Sequence, residues 1–320
     1  GKHLITNWNK SEIEWTTAYT SSFQNEPDLR FFANETVGDS TYYISVSEYD
    51  LPNHYFRYLT DKAYEGNLNI TVPLSNEQGN INKLKVGFSG TNKTRDFEEY
   101  RFYIQGKDGE NYEGDQWAYF GAANTGVIGY DANFDRHIIG NYVVNNSQIS
   151  NNYNGSERVM AGYAMGVFEV VDGLKVTGGL RVEQTKMEVE SADTLLAKGN
   201  VDQFDFFPSL NLIYGINDKM NLRGSFSQTI ARPTMRELAP FVTFDFIGGF
   251  LYIGNPDLQT TLIRNYDLRY EYFIRPGEVI ALSAYYKHFS DPIVKAYNTD
   301  AINPEITYQN TNDARVYGIE

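Results

Sequence analysis

The chain has no cysteine, so no cysteine nucleophile can carry its chemistry, and a composition of this kind fits an exported bacterial protein. No stretch approaches 18 consecutive apolar residues, which excludes a transmembrane helix. Gly1 to Glu14 holds no apolar signal-peptide core. Positive charge is scarce: 27 Lys and Arg stand against 41 Asp and Glu, a formal net charge of -14, and a nucleic-acid binder would need a basic face. Catalytic signatures are missing too. There is no Gly-x-Ser-x-Gly elbow, no His-Glu-x-x-His, no phosphate-cradling glycine loop and no EF-hand pattern. His3, His54, His137 and His288 lie far apart and share no ligand spacing. The chain therefore reads as a non-enzyme with no metal, no cofactor and no nucleic-acid partner.

Aromatic residues are plentiful, at 15% of 320 residues with 25 Tyr and 20 Phe, and Tyr suits surfaces that are half greasy and half wet. A charged fraction of 21% argues for a folded chain rather than a disordered one. The mean hydropathy of -0.46 would suit a soluble protein. It equally suits a membrane β-barrel, whose strands are only half apolar and whose loops are long and polar.

The dominant pattern has period two, the mark of a β-strand. From Leu174 to Glu183, Leu174, Val176, Gly178, Leu180 and Val182 share one side. Lys175, Thr177, Gly179, Arg181 and Glu183 share the other. Similar alternation covers Ile13 to Ser21, Leu68 to Leu74, Leu84 to Phe88, Met220 to Phe226, Tyr266 to Tyr272 and, more weakly, Ile280 to Ala284. Helical patterns are rare. Short connections with turn chemistry (Ser75 to Asn80, Asp172-Gly173, Asn217-Asp218, Arg275 to Glu278) alternate with long ones, at Gln24 to Asn53, Gln105 to Ser156, Ser191 to Val201 and Ala231 to Leu262. A compact soluble domain seldom holds such long connections. An outer-membrane barrel does, with short turns facing the periplasm and long loops facing outside. Lipid then meets the apolar side of each strand, and closure leaves no unpaired edge in hydrocarbon.

On this reading Lys83, Lys85, Lys175, Arg181, Glu183, Arg223, Asp267, Arg269 and Glu271 face a wet lumen, since so many charges on one face would be costly in a sandwich core. The pattern Val316-Tyr317-Gly318-Ile319-Glu320 reads as a strand cut short, so the expected fold is part of a larger barrel.

The stretch from Asn221 to Tyr297 is the most specific. It carries Ser225, Ser227, Arg232, Pro233, Glu237, Leu238 and Pro240, then Gly254, Asn255, Pro256 and Leu258. It continues with Asn265, Leu268, Tyr270, Glu271, Tyr286, Lys287, Asp291, Pro292 and Ile293. In order and spacing these resemble the barrel of TonB-dependent outer-membrane receptors of the Bacteroidetes type. "EPDLR" at Glu26 to Arg30, "GLRVE" at Gly179 to Glu183 and the terminal "VYGIE" fit the same resemblance. It implies an all-β, antiparallel transmembrane β-barrel, present here as about ten strands of a barrel of about 22. Residues 1–320 then form part of a single barrel domain, with neither a plug domain nor a TonB-engaging segment evident. The implied role is TonB-coupled import of a scarce nutrient in a Gram-negative outer membrane: siderophore-iron, haem, an oligosaccharide or a peptide. The implied partners are outer-membrane lipid, TonB, the ligand and a surface lipoprotein lid. A passive porin and a secreted β-rich binding protein are the alternatives. A glycosidase would need a carboxylate pair that the sequence does not single out.

Ligand contact is expected from the long loops. Trp117, Tyr119, Phe120 and Tyr130 stand in one, and Phe241, Phe244, Phe246, Phe250 and Tyr252 in another, where they either stack on a ligand or pack together to order the loop. Arg232 either borders the vestibule or, beside a proline that ends strand pairing, satisfies lumen carboxylates. Asp96, Glu98 and Glu99 read as a solvated acidic rim.

Overall fold

Period-two alternation becomes strands far longer than a soluble sheet requires. The computed structural model describes residues 1–38, 41–43, 51–74, 82–106, 112–244, 250–298 and 305–320. Eleven strands follow one another in both sequence and space: β1 (Lys2–Ile5), β2 (Ser11–Phe31), β3 (Asn53–Pro73), β4 (Lys83–Gly106), β5 (Tyr153–Val171), β6 (Leu174–Ser191), β7 (Gly199–Asn217), β8 (Met220–Ala231), β9 (Thr261–Arg275), β10 (Glu278–Ser290) and β11 (Asp313–Ile319). Each pairs antiparallel with the next. The segment Asn141–Asn145 extends the ladder on β4 beyond the point where β5 leaves it, which completes a 12-stranded sheet.

About 9–11 tilted residues cross the hydrocarbon. β2 and β3 have 21 residues each and β4 has 24. Roughly half of each therefore stands clear of the bilayer, at about 3.3 Å of wall per residue. Two expected loops are shorter than the sequence suggested for this reason. Residues from Gln24 to Phe31 continue β2. Residues 112–152 hold a four-residue helix (Gln116–Tyr119) and a hairpin of Val127–Asp131 with Arg136–Ile139. The turns behave as their residues dictate. Val171 pairs with Leu174 across Asp172-Gly173, and Gly173 and Gly277 take left-handed φ values of 76° and 88° that a side chain would resist. The expected turn at Ser75 to Asn80 lies outside the described residues.

The two faces separate as the alternation required. Tyr19, Phe88, Met160, Phe204, Leu268 and Leu282 each leave more than half of their surface uncovered on one face. So large an apolar band is the signature of a lipid-facing wall. The other face carries ions paired across strands. Among the described residues no helix is long and apolar enough to span a membrane.

Leu210 and its neighbour Asn211 lie on opposite faces of β7, opposite Phe226 and Ser225 of β8 respectively. Leu210→Arg is expected to destabilise the folded protein in lipid by about 2–4 kcal/mol, and Asn211→Arg by less than about 1 kcal/mol. Urea unfolding of the full-length protein in vesicles would measure both. Equal costs would refute the assignment of faces.

Candidate ligand vestibule

The connection between β8 and β9, described at residues 232–244 and 250–260, folds back over the inner face instead of standing away from it. Pro233 ends the β8 ladder and is buried. Arg232 turns inward: its Nε donates to Thr185 Oγ1 at 3.0 Å and its guanidinium pairs with Glu183. Glu183 stands opposite Asp205 in register, a like-charge pair that is unfavourable unless a cation intervenes. Arg232 and Arg181 both reach Glu183, while Gln203 Nε2 donates to Asp205 Oδ1 at 2.8 Å.

The loop then forms a one-turn helix, Met235–Leu238, closed by a capping box in which Thr234 accepts from the Glu237 amide and Glu237 accepts from the Thr234 amide. Leu238 and Ala239 are fully buried against Tyr153, Met187, Val189 and Val201. At its outer end, therefore, the inner face of β5 to β7 changes from charged to apolar, and the loop docks there. Gly199 permits the approach: a Cβ there would lie 2.9 Å from Leu238 Cβ. Burying a leucine side chain fully stabilises by about 1.5–3 kcal/mol.

Phe241 is taken up by this core, at 3% exposure. It stacks on Phe97 at 5.9 Å with an interplanar angle of 17°, and the Arg236 guanidinium lies 4.4 Å from its ring centre. Phe241 thus packs as an anchor of the loop, because the apolar wall takes up its ring. Phe250 and Tyr252 remain partly open. Tyr252 belongs to a second sheet of Val242–Phe244, Leu251–Ile253, Glu305–Asn310 and Ile293–Asn298, which joins two outer loops, and Phe250 immediately precedes its strand. Phe250 meets Tyr297 edge-on at 5.4 Å, and Lys295 lies 4.8 Å from the Tyr252 ring centre. Phe244 contributes its backbone to this sheet, and Phe246 lies outside the described residues.

In the other long loop, Asp115 caps the helix that carries Trp117, and Trp117 is 82% exposed. Tyr119 and Phe120 pack instead with Phe32 and Tyr112, and burial pushes the Tyr119 phenol pKa upward. Tyr130 is exposed beside Asp135 and His137.

The inner wall below these loops is a ladder of ion pairs. Arg223 and Arg269 both hold Glu271, at 2.8 and 2.9 Å, and Ser225 Oγ lies 3.3 Å from Asp267. Lys83, Lys85 and Lys175 occupy the same face near the short-turn end. Sequence reasoning missed Arg95 with Asp61 at 2.7 Å and Arg57 with Glu99 at 2.7 Å. Continuing the alternation outward along β3 and β4 would have found them. Asp96 and Glu98 point to the opposite face from Glu99, so the three do not converge. Among the described residues no cluster of His, Asp and Glu is placed to hold a metal.

Residues 120–320 match the model of the outer membrane protein beta-barrel family. The chain belongs to that family. Its place is accordingly the Gram-negative outer membrane. Several solved outer-membrane proteins share the fold. The ferripyoverdine receptor of Pseudomonas aeruginosa, bound to ferripyoverdine, aligns with a TM-score of 0.60 at 15% identity over 99% of this chain and 36% of that one. The copper transporter OprC aligns at 0.56 and 12% identity, over 97% and 40%. A mutant ferric enterobactin receptor of Pseudomonas aeruginosa, in complex with enterobactin, aligns at 0.51 and 15% identity, over 97% and 41%. This family member thus spans between about a third and two fifths of the length of these structures. No curated protein matches it.

Proposed function

We propose that the whole protein is an outer-membrane receptor for TonB-coupled import of a scarce nutrient: a siderophore-iron complex, haem, an oligosaccharide or a peptide. The observation that carries this reading is the loop of residues 232–260, pinned by Arg232, Leu238 and Phe241 against the inner wall. A built and immobilised inner loop beside exposed aromatics makes a binding vestibule. A passive pore has no need to invest so much buried surface in narrowing its own mouth. The fold shared with ferripyoverdine and enterobactin receptors supports the same reading.

Two measurements on the parent protein test it. In planar bilayers the purified protein should hold no steady open conductance, and nutrient uptake by cells should stop when a protonophore collapses the proton gradient. A steady ohmic conductance with gradient-independent uptake would establish the porin reading instead. The intact mass of the mature parent from native outer membranes should lie far above 36.5 kDa, leaving room for a plug.

Among the described loop aromatics Trp117, 82% exposed, is the one left most available for stacking. Trp117→Ala should leave stability unchanged and raise the half-saturation concentration for uptake about three- to tenfold, the worth of one aromatic contact. A panel of ferric siderophores, haem, maltooligosaccharides and peptides would identify the nutrient and then measure the shift. An unaltered half-saturation would remove Trp117 from the site.

A further inference from the structure

The lipid-facing wall carries features that import does not use. Among the outward residues of β8 to β11, three adjacent register rows stand toward the outer end. The lowest is Gly224, Leu268, Ala284 and Ile319. Above it, toward the outer end, come Phe226, Tyr266, Tyr286 and Tyr317. Above those come Gln228, Arg264, His288 and Arg315. Gly224 and Ala284 floor a groove of about 470 Å³ walled by Phe226, Tyr266, Tyr286 and Leu268. A Cβ at Gly224 would meet no atom within 4 Å, so the gap is open space that no neighbour fills.

The row of rings fixes the depth. Aromatic girdles lie where hydrocarbon gives way to headgroups. The cations one step further out therefore sit at headgroup level, with their stems along apolar surface and their charged ends in the polar layer. His288 is held by Asp313, with Nε2 at 2.9 Å from Oδ1. Arg264 and Arg315 flank it, and neither makes an ion pair among the described residues. On a chain of net charge -14, two cations placed together on the lipid side call for an anion. Arginine's planar fork matches phosphate in particular.

A second groove on the same wall repeats the order. Gly66 and Gly90, paired in register, floor it; the Tyr19 and Tyr64 rings, 4.8 Å apart and tilted by 38°, wall it; and Arg158 closes its outer end. Lys186 lies opposite Arg158 in register and pairs with Asp202 at 3.2 Å.

We propose that the Gly224 groove and the Arg264 and Arg315 guanidiniums together seat one anionic, phosphate-bearing lipid of the outer leaflet, with an acyl chain in the groove and the phosphate between the two arginines. The occupant is a lipid rather than a soluble anion because the apolar groove and the cations are contiguous and lie at one membrane depth.

The test uses the full-length protein purified in detergent, with diphosphoryl lipid A, phosphatidylcholine and inorganic phosphate as probes and lipid retention by native mass spectrometry as the readout. The double variant Arg264→Gln, Arg315→Gln should bind diphosphoryl lipid A about tenfold more weakly or worse, with phosphatidylcholine retention unchanged. Gly224→Leu should weaken the same lipid by filling the groove. Arg264→Lys with Arg315→Lys should retain most of the binding, which separates charge from any effect on folding. Three results would overturn the proposal: undiminished lipid A binding by the glutamine pair, an equal loss of both lipids, or full competition by inorganic phosphate at the concentration of the lipid.

Discussion

Leu238→Ala is expected to release the loop of residues 232–260 from the inner wall at a cost of about 2–5 kcal/mol. Leu238 is fully buried by Met187, Val189 and Val201 of the wall together with Met235, Phe241 and Leu258 of the loop itself. The rigid strands on one side cannot collapse to fill the vacated volume, which puts the cost in the upper part of that range. The cost falls on the docked state of one loop rather than on the whole barrel, because the strand ladders do not run through Leu238. Limited chymotrypsin digestion of the full-length protein reads this directly. Cleavage within the loop should accelerate roughly 30-fold or more if opening is fast relative to cleavage, and the heat-modified mobility of the barrel should not change. Leu195→Ala is the control, since Leu195 is 92% exposed in another outer loop and contributes little. A loop cut no faster in Leu238→Ala than in the parent would mean that this core does not hold it down.

The wall was legible in the sequence because a strand writes its environment at every second residue. Leu174 to Val182 against Lys175 to Glu183 gave both the strand and its faces, and Asp172-Gly173 and Pro276-Gly277 gave the turns. The outer halves of β2 and β4 were harder to read. Beyond the bilayer both faces are wet, so Thr20 to Gln24 and Thr91 to Glu98 lose their contrast while their backbones continue to pair. β7 concealed itself differently. Pro208 in mid-strand argues for an edge, and the outer part of β7 is one: its ladder with β8 ends at Ser209, and Gln228 Nε2 spans the gap to the Phe206 carbonyl at 2.7 Å. The docked loop was legible only in part. Arg232, Leu238 and Leu258 stood out as a spaced motif. That Phe241 lies inward while Trp117 lies outward depends on which wall residues each loop can reach, and local spacing does not encode that.

The Arg232 site yields the second large effect. Arg232→Met should cost about 3 kcal/mol, toward the lower end of the 3–5 kcal/mol expected when one partner of a buried ion pair is removed. The cause is what remains behind. Glu183 and Asp205 face each other across β6 and β7, both buried, and among the described residues only Arg181 is left to pair with them. Arg181 already holds Glu183, so the loss is tempered but not abolished. Glu183→Gln in the Arg232→Met background should therefore recover most of the stability, since it removes the surplus negative charge while preserving shape and a hydrogen-bonding group. The same chymotrypsin assay closes the double-mutant cycle on the loop, with an expected coupling of about 1.5–3 kcal/mol. Additive effects of the two substitutions would show that Arg232 acts only through the chain geometry it shares with Pro233. A strong coupling would show that the loop is held at its base by charge as well as at its tip by packing. In that case a ligand entering the vestibule would meet a wall whose arginines Arg57, Arg95, Arg181, Arg223, Arg232 and Arg269 are already paired with carboxylates, and it would be recognised mainly by the exposed rings and cations of the loops.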